Sequence, residues 1–173
     1  MKIGIFSDTH TKTKLAKQAI EHLLDEGAEF IIHAGDICER KVLDELSECG
    51  KRYVAVYGNN DSKLTSYHNQ YSLVQEPHYF KLANTRFKLM HLPFYMAPDT
   101  DVVIFGHTHQ FECDFRGGTL FLNPGETCGR NRGTSEFAML EVVPAFFRIT
   151  YYTRDPEASK IHAQHFTFER AHS

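Results

Sequence analysis

Val102-Val103-Ile104-Phe105-Gly106-His107-Thr108-His109 is an apolar run, a glycine, and two histidines at i and i+2. The run reads as a buried strand. Gly106 ends it and lets the backbone turn sharply. The two imidazoles are thus delivered at a strand's C-terminal end, where open α/β sheets place their ligands. Other apolar runs end in the same chemistry. Ile3 to Phe6 leads into Ser7-Asp8-Thr9-His10, and Phe30 to His33 into Gly35-Asp36. Tyr53 to Tyr57 leads into Gly58-Asn59-Asn60-Asp61, and Phe87 to Met90 into His91. Taken singly, each has a bland reading: a D-x-H after a strand is most often a turn with a capping aspartate. Strand ends that all carry oxygen or imidazole donors describe a metal centre.

The rest of the chain fits around these ends. Leu15, Ala19, Ile20, Leu23 and Leu24 fall on one helical face, and Gly27 stops that helix. A second helix covers Val42 to Leu46. The opening order β-α-β-α-β argues a parallel sheet with right-handed crossovers. Ser62 to Gln75 is mixed, a short helix with a loop. From His78 the pattern alternates, giving a hairpin over Tyr79–Leu82 and Thr85–Met90 and another around Arg116-Gly117-Gly118. Phe137 to Val143 and Phe146 to Tyr152 are two more strands. Ile161 to Phe168 is either a last edge strand or a loose terminus. The expectation is α/β, with two mixed parallel and antiparallel sheets packed together, helices outside, and one domain over residues 1–173.

The 173 residues can bury a substantial core without staples, and their net charge of -3 suits no coat for nucleic acid. Eleven histidines raise the expectation of metal chemistry. Cys38, Cys49, Cys113 and Cys128 form no C-x-x-C, so they read as reduced thiols of a cytoplasmic protein. No apolar stretch is long enough to cross a bilayer, and the chain starts straight into a strand without a signal peptide.

Asp8 and His10 can grip one cation, and the two oxygens of Asp36 can bridge two. Asn59 offers an amide oxygen; His91, His107 and His109 offer nitrogen. This mixed N/O set without thiolate suits Mn, Fe, Co, Ni or Zn better than Ca. Its donors are too many for one ion and natural for two divalent metal ions that share a carboxylate. Two such ions about 3.5–4 Å apart clamp a phosphoryl group and lower the pKa of a water between them.

D-x-H, G-D, G-N-x-D, H and G-H-x-H, in this order, resemble the calcineurin-like metallophosphoesterase superfamily. The length and the opening Lys2-Ile3-Gly4-Ile5-Phe6-Ser7-Asp8-Thr9-His10 are similar to its small bacterial and archaeal phosphodiesterase branch, and Asn123-Pro124-Gly125 resembles a loop of that branch. The resemblance implies a four-layer α-β-β-α sandwich and a hydrolase, a metallophosphodiesterase. One metal would take Asp8, His10, Asp36 and His109; the second would take Asp36, Asn59, His91 and His107. A hydroxide bridging the ions would attack phosphorus in line. Manganese is the first candidate.

The sequence departs from the family pattern in two places. Many relatives carry a leaving-group histidine where this chain has Asn60; Asp61 remains, as a residue that orients a ligand. After His91, Leu92 to Pro98 holds two prolines and leaves no room for a long helix. The expected catalytic residues are Asp36, Asn59, Asn60 and Asp61. Asn60, Arg130 and Arg132 are candidates for substrate contact, the arginines against the bland reading of solvated loop charges. His68 or His78 is a candidate to replace the missing imidazole. The expected partner is a small phosphoester; Phe94, Tyr95 and Met96 read either as a self-association patch, for a homo-oligomer, or as a wall of the substrate mouth. Neither a membrane nor extended nucleic acid is expected. The readings set against a phosphodiesterase are a phosphomonoesterase or nucleotide phosphatase, and a non-catalytic interaction scaffold of the same fold. Intact ligand positions favour the enzyme.

Overall fold

Strand β1 (Lys2–Phe6), helix α1 (Thr13–Asp25), β2 (Phe30–His33), helix α2 (Arg40–Glu48) and β3 (Arg52–Val56) open a computed structural model that describes residues 1–170. A 3-10 helix (Ser62–Gln70) and the short β4 (Leu73–Val74) follow. Next come β5 (His78–Leu82), β6 (Thr85–Leu89), β7 (Val102–Ile104), β8 (Phe111–Arg116) and β9 (Thr119–Pro124). The chain closes with β10 (Ser135–Val142), β11 (Phe146–Arg154) and β12 (Ile161–Glu169).

Two mixed sheets result. The first has the order β12-β11-β10-β1-β2-β3-β4, with β1 to β4 parallel and β10 to β12 antiparallel to their neighbours. The second has the order β5-β6-β7-β9-β8, parallel in its middle and antiparallel at both edges. Alternation along each strand sorts the core. Ile3, Ile5, Ile32, Val54 and Val56 of the first sheet meet Phe87, Leu89, Val102, Ile104, Leu120 and Leu122 of the second. On the opposite face of the first sheet, Ile31 and Ala55 lie under the apolar stripes of α1 and α2. Strand β2, covered on both faces, is buried throughout.

The expected elements are present, with additions where the pattern was weak. Ser62 to Gln75 folds as the 3-10 helix plus β4 on the sheet edge. The tail is an edge strand, paired with β11 from Ile161 to Glu169. Outside the five-stranded sheet, residues 90–101 form a loop, as two prolines require. Met96 from this loop packs against Met90, Val103, Phe105 and Phe121. Its backbone is held from below by Lys88, a fully buried lysine whose Nζ donates to Tyr95 O at 2.9 Å and Ala97 O at 3.0 Å and pairs with Asp99.

Candidate metal centre

The C-terminal ends of β1, β2, β3, β6 and β7 meet at one edge of the two sheets, and the turns after β1, β2 and β7 carry left-handed residues. Asp8, His10, Asp36, His107 and His109 all have left-handed backbones, with φ of 53°, 44°, 55°, 69° and 58°. Such positions cost on the order of 1–3 kcal/mol each and persist only where the surroundings over-determine them. Here bonds between the turns do so: within the sheets Asp8 N donates to Gly35 O, His10 N to Asp36 O and Gly106 N to His91 O, and between the sheets His107 N donates to Asp8 Oδ2 at 3.1 Å. Gly106 is required by the crowding. A Cβ on it would stand 2.8 Å from Ala34 O and 2.9 Å from Asp8 Oδ2.

The donors converge. His10 Nε2 lies 3.9 Å from Asp8 Oδ1, 3.7 Å from Asp36 Oδ2 and 3.4 Å from His109 Nε2. His109 Nε2 is 3.3 Å from Asp8 Oδ1. Toward the second sheet, His91 Nε2 is 3.5 Å from Asp36 Oδ1. Asn59 Oδ1 is 3.0 Å from that nitrogen and 3.2 Å from His107 Nδ1. Asp36 stands between the two groups.

Burial and partners set the charge state of this centre. Burial raises the Asp8 carboxyl, but the close approach of His109, the bond from the Ser7 hydroxyl and the His91 charge bring it below its ordinary value. Asp36 is likewise raised by burial and pulled well down by His91 and by two bonds from Asn60. Burial, then the Arg130 charge, lowers the His10 imidazole. His109 is lifted to about 11, by Asp8 first. It faces Asp8 Oδ1 off the hydrogen-bond direction, so that buried oxygen has no hydrogen-bond partner.

This arrangement fits divalent metal. A buried carboxylate oxygen without a hydrogen bond, imidazole nitrogens crowded against one another, and a carboxylate between two donor groups are costly unless cations join them. Asp8, Asp36 and His91 form one set of donor atoms within 4.8 Å of one another, and His10, His109 and Cys128 form another. Cys128, read from the sequence only as a reduced thiol, thus borders the His10 and His109 side of the centre.

Supporting contacts fix the rings. His91 Nδ1 is 2.8 Å from Ala34 O, and His109 Nδ1 is 2.5 Å from Glu126 Oε2, leaving each Nε2 toward the centre. Glu126 is fully buried and escaped the sequence reading. Its one signal was its place directly after Asn123-Pro124-Gly125. Asp61 accepts from Cys38 N and Gly58 N, both at 2.7 Å, and so ties the Asn59 turn to the Asp36 turn. Asn60 donates to Asp36 twice, N to Oδ1 at 3.0 Å and Nδ2 to Oδ2 at 2.8 Å. Arg130 comes to the centre, 3.3 Å from His10 Nε2 and 3.5 Å from His109 Nε2. Arg132 is tied to the same loop through its backbone N, which donates to Glu126 Oε1 at 2.6 Å, and among the described residues its side chain makes no hydrogen bond to the donors of the centre. Cys38 touches His10, but burial and the Asp61 and Asp36 charges push its thiol up to about 12, so it is no nucleophile.

Two packed mixed sheets with this ring of carboxylate, amide and imidazole at their parallel strand ends define a metallophosphoesterase. The chain belongs to the calcineurin-like phosphoesterase superfamily, whose domain model matches residues 1–144. Over 161 residues it is 32% identical to phosphodiesterase MJ0936 of Methanocaldococcus jannaschii, covering 86% of this chain and 97% of that one. It is 25% identical over 145 residues to phosphodiesterase YfcE of Escherichia coli K12, covering 72% and 78%. A single mutant of Vps29 from Entamoeba histolytica shares the fold, with a TM-score of 0.77 at 22% identity, covering 97% and 99% of the two chains.

Proposed function

We propose that this metallophosphoesterase hydrolyses small phosphodiesters with two divalent cations, manganese first among the candidates. The convergence of Asp8, His10, Asp36, Asn59, His91, His107 and His109 around a shareable Asp36 carries this reading. Asp8, His10, Asp36 and His109 would hold one cation, and Asp36, Asn59, His91 and His107 the other. Two dications bound there polarise a phosphoryl oxygen and make water nucleophilic near neutral pH.

The chain's own residues do the rest. Asn60 clamps both oxygens of Asp36. Asp61 holds the Asn59 turn, and Glu126 keeps His109 in one tautomer. The Arg130 guanidinium meets a phosphoryl oxygen that enters beside His10. A diester is favoured over a monoester because two relatives are named phosphodiesterases and because open cavities flank the centre on both sides, one per ester arm. Four free cysteines suit the cytoplasm. Among the described residues no helix is long and apolar enough to cross a membrane. Phe94, 74% exposed, and Tyr95, 47% exposed, form an apolar patch suited to self-association.

The test is elemental analysis of manganese-reconstituted protein alongside hydrolysis of bis-p-nitrophenyl phosphate. About two ions per chain and manganese-dependent turnover are expected, both lost in Asp36→Ala. Full activity in that variant would overturn the assignment.

A further inference from the structure

Two cavities flank the centre, and their chemistry differs. The one beside Asn59, of about 630 Å³, is lined by Tyr57, Thr65, His68 and Gln75 together with Asp61 and Glu76. Both carboxylates are turned onto backbone amides: Asp61 onto those of Cys38 and Gly58, Glu76 onto those of His91 and Leu92. That cavity has two carboxylates and no lysine or arginine among its lining residues, so it disfavours an anion and suits a neutral polar group. The one beside His10, of about 690 Å³, is lined by Lys12, Lys14 and Arg130, with no carboxylate among its lining residues.

These three cations are free to act on a ligand. Lys17, the next lysine along α1, is paired with Glu45 at 3.4 Å. Lys12 and Lys14 have no ion-pair partner among the described residues. Arg130 contacts the imidazole nitrogens of His10 and His109 and no carboxylate among the described residues. In a chain of net charge -3, three uncompensated cations around one recess, opening directly off a phosphoester site, are a local field of the opposite sign.

We propose that the recess beside His10 is a subsite for a second anionic group of the substrate, held by Lys12 and Lys14 beyond Arg130, which meets the scissile phosphoryl group. The inference rests on the phosphodiesterase reading above and names its substrate class: a phosphodiester with a further phosphate or carboxylate on one arm and a neutral polar group on the other. The scissile phosphoryl group sits at the centre, the anionic arm runs over Arg130 toward Lys12 and Lys14, and the neutral arm lies beside Tyr57 and His68.

The experiment compares two ligands for manganese-loaded protein by titration calorimetry: propane-1,3-diol bisphosphate and 3-hydroxypropyl phosphate, alike except for the second phosphate. Wild type should bind the bisphosphate at least about tenfold more tightly, the scale of charge-assisted contacts. Lys12→Gln with Lys14→Gln should abolish that preference, and Lys17→Gln, outside the recess, should keep it. Equal affinities in wild type, or a preference that survives the double substitution, would overturn the subsite. Hydrolysis of bis-p-nitrophenyl phosphate, measured on the same samples, separates the two readings. A lysine-dependent preference without hydrolysis would sink the phosphodiesterase and leave the anion site. Hydrolysis without the preference would do the reverse.

Discussion

His109 presents Nδ1 to Glu126 Oε2 at 2.5 Å, and that contact decides which ring nitrogen faces Asp8. The other oxygen of Glu126 accepts from the backbone of Asn131 and Arg132, each at 2.6 Å. One buried carboxylate thus orients a donor of the centre and shapes the loop that carries Arg130. Glu126→Gln keeps the volume but loses the charge that makes His109 a strong donor. Metal affinity should fall about 10–100-fold, the usual effect of losing such a support. Competition against a fluorescent chelator measures it, with circular dichroism as the check on folding. Unchanged affinity would make Glu126 a loop residue only.

Proton linkage follows from the same ring. In the metal-free protein Asp8, then the Cys128 contact and Glu126, lift His109 to about 11 against the effect of burial. A raised value means that this proton stabilises the metal-free fold fully below about 6.5 and ceases to do so as pH climbs past about 11. His109 is therefore protonated at pH 7, and a cation arriving on Nε2 must displace a proton. Manganese binding should release protons, seen as a dependence of calorimetric heat on the buffer's ionisation enthalpy. It should also be weaker at pH 6 than at pH 8. Heats independent of buffer, with equal affinity at both pH values, would contradict this linkage.

Lys88 gives a test away from the centre. It is fully buried, and it holds the loop after His91 by two carbonyls and Asp99, which is itself half exposed. Lys88→Met keeps the apolar stem and removes the donor. The stranded carbonyls should cost about 1–3 kcal/mol in urea unfolding, while water covers Asp99. A loss under about 0.5 kcal/mol, the range of ordinary surface substitutions, would mean that packing of Met96 holds the loop unaided.

Much of this protein was legible because its signals are short and local. Each strand-end motif sets an apolar run beside a glycine or a polar turn, and both periodicity and chemistry survive in a few residues. Asp8, His10, Asp36, Asn59, His91, His107 and His109 lie within such motifs and meet at one edge, because the parallel strands within each sheet end on the same side and the two sheets pack face to face with those ends together. Glu126 and Lys88 were not legible. Their partners lie across a turn or beneath a loop, and an isolated charged residue in a strand or turn reads by default as solvated. Strand β4, two residues long, shows no period at all. The tail's status as an edge strand depended on β11 offering a free edge, which the tail's own polar sequence does not announce.

Asn60 is where sequence and geometry together make the sharpest prediction. A departing ester oxygen gathers negative charge, and a positioned imidazole relieves it by proton transfer, worth about 10²–10⁴-fold. The amide of Asn60 does not titrate near neutral pH, and its backbone and side chain already donate to both oxygens of Asp36. Its work is to hold the shared carboxylate, so the leaving group must carry its own charge. Rates on aryl phosphodiesters should fall steeply as leaving-group pKa rises. Asn60→His should flatten that slope, while Asn60→Ala should weaken metal binding and leave the slope as it was. The competing acid is His68, which lines the cavity beside Asn59 and accepts or shares a hydrogen bond with the Tyr57 hydroxyl at 3.0 Å. His78 is placed elsewhere, stacked on Phe80 along β5. If the wild-type slope is already shallow and His68→Gln steepens it, the acid is His68. If Asn60→His and wild type share one steep slope, position 60 does not reach the leaving oxygen, and the clamp on Asp36 is its whole contribution.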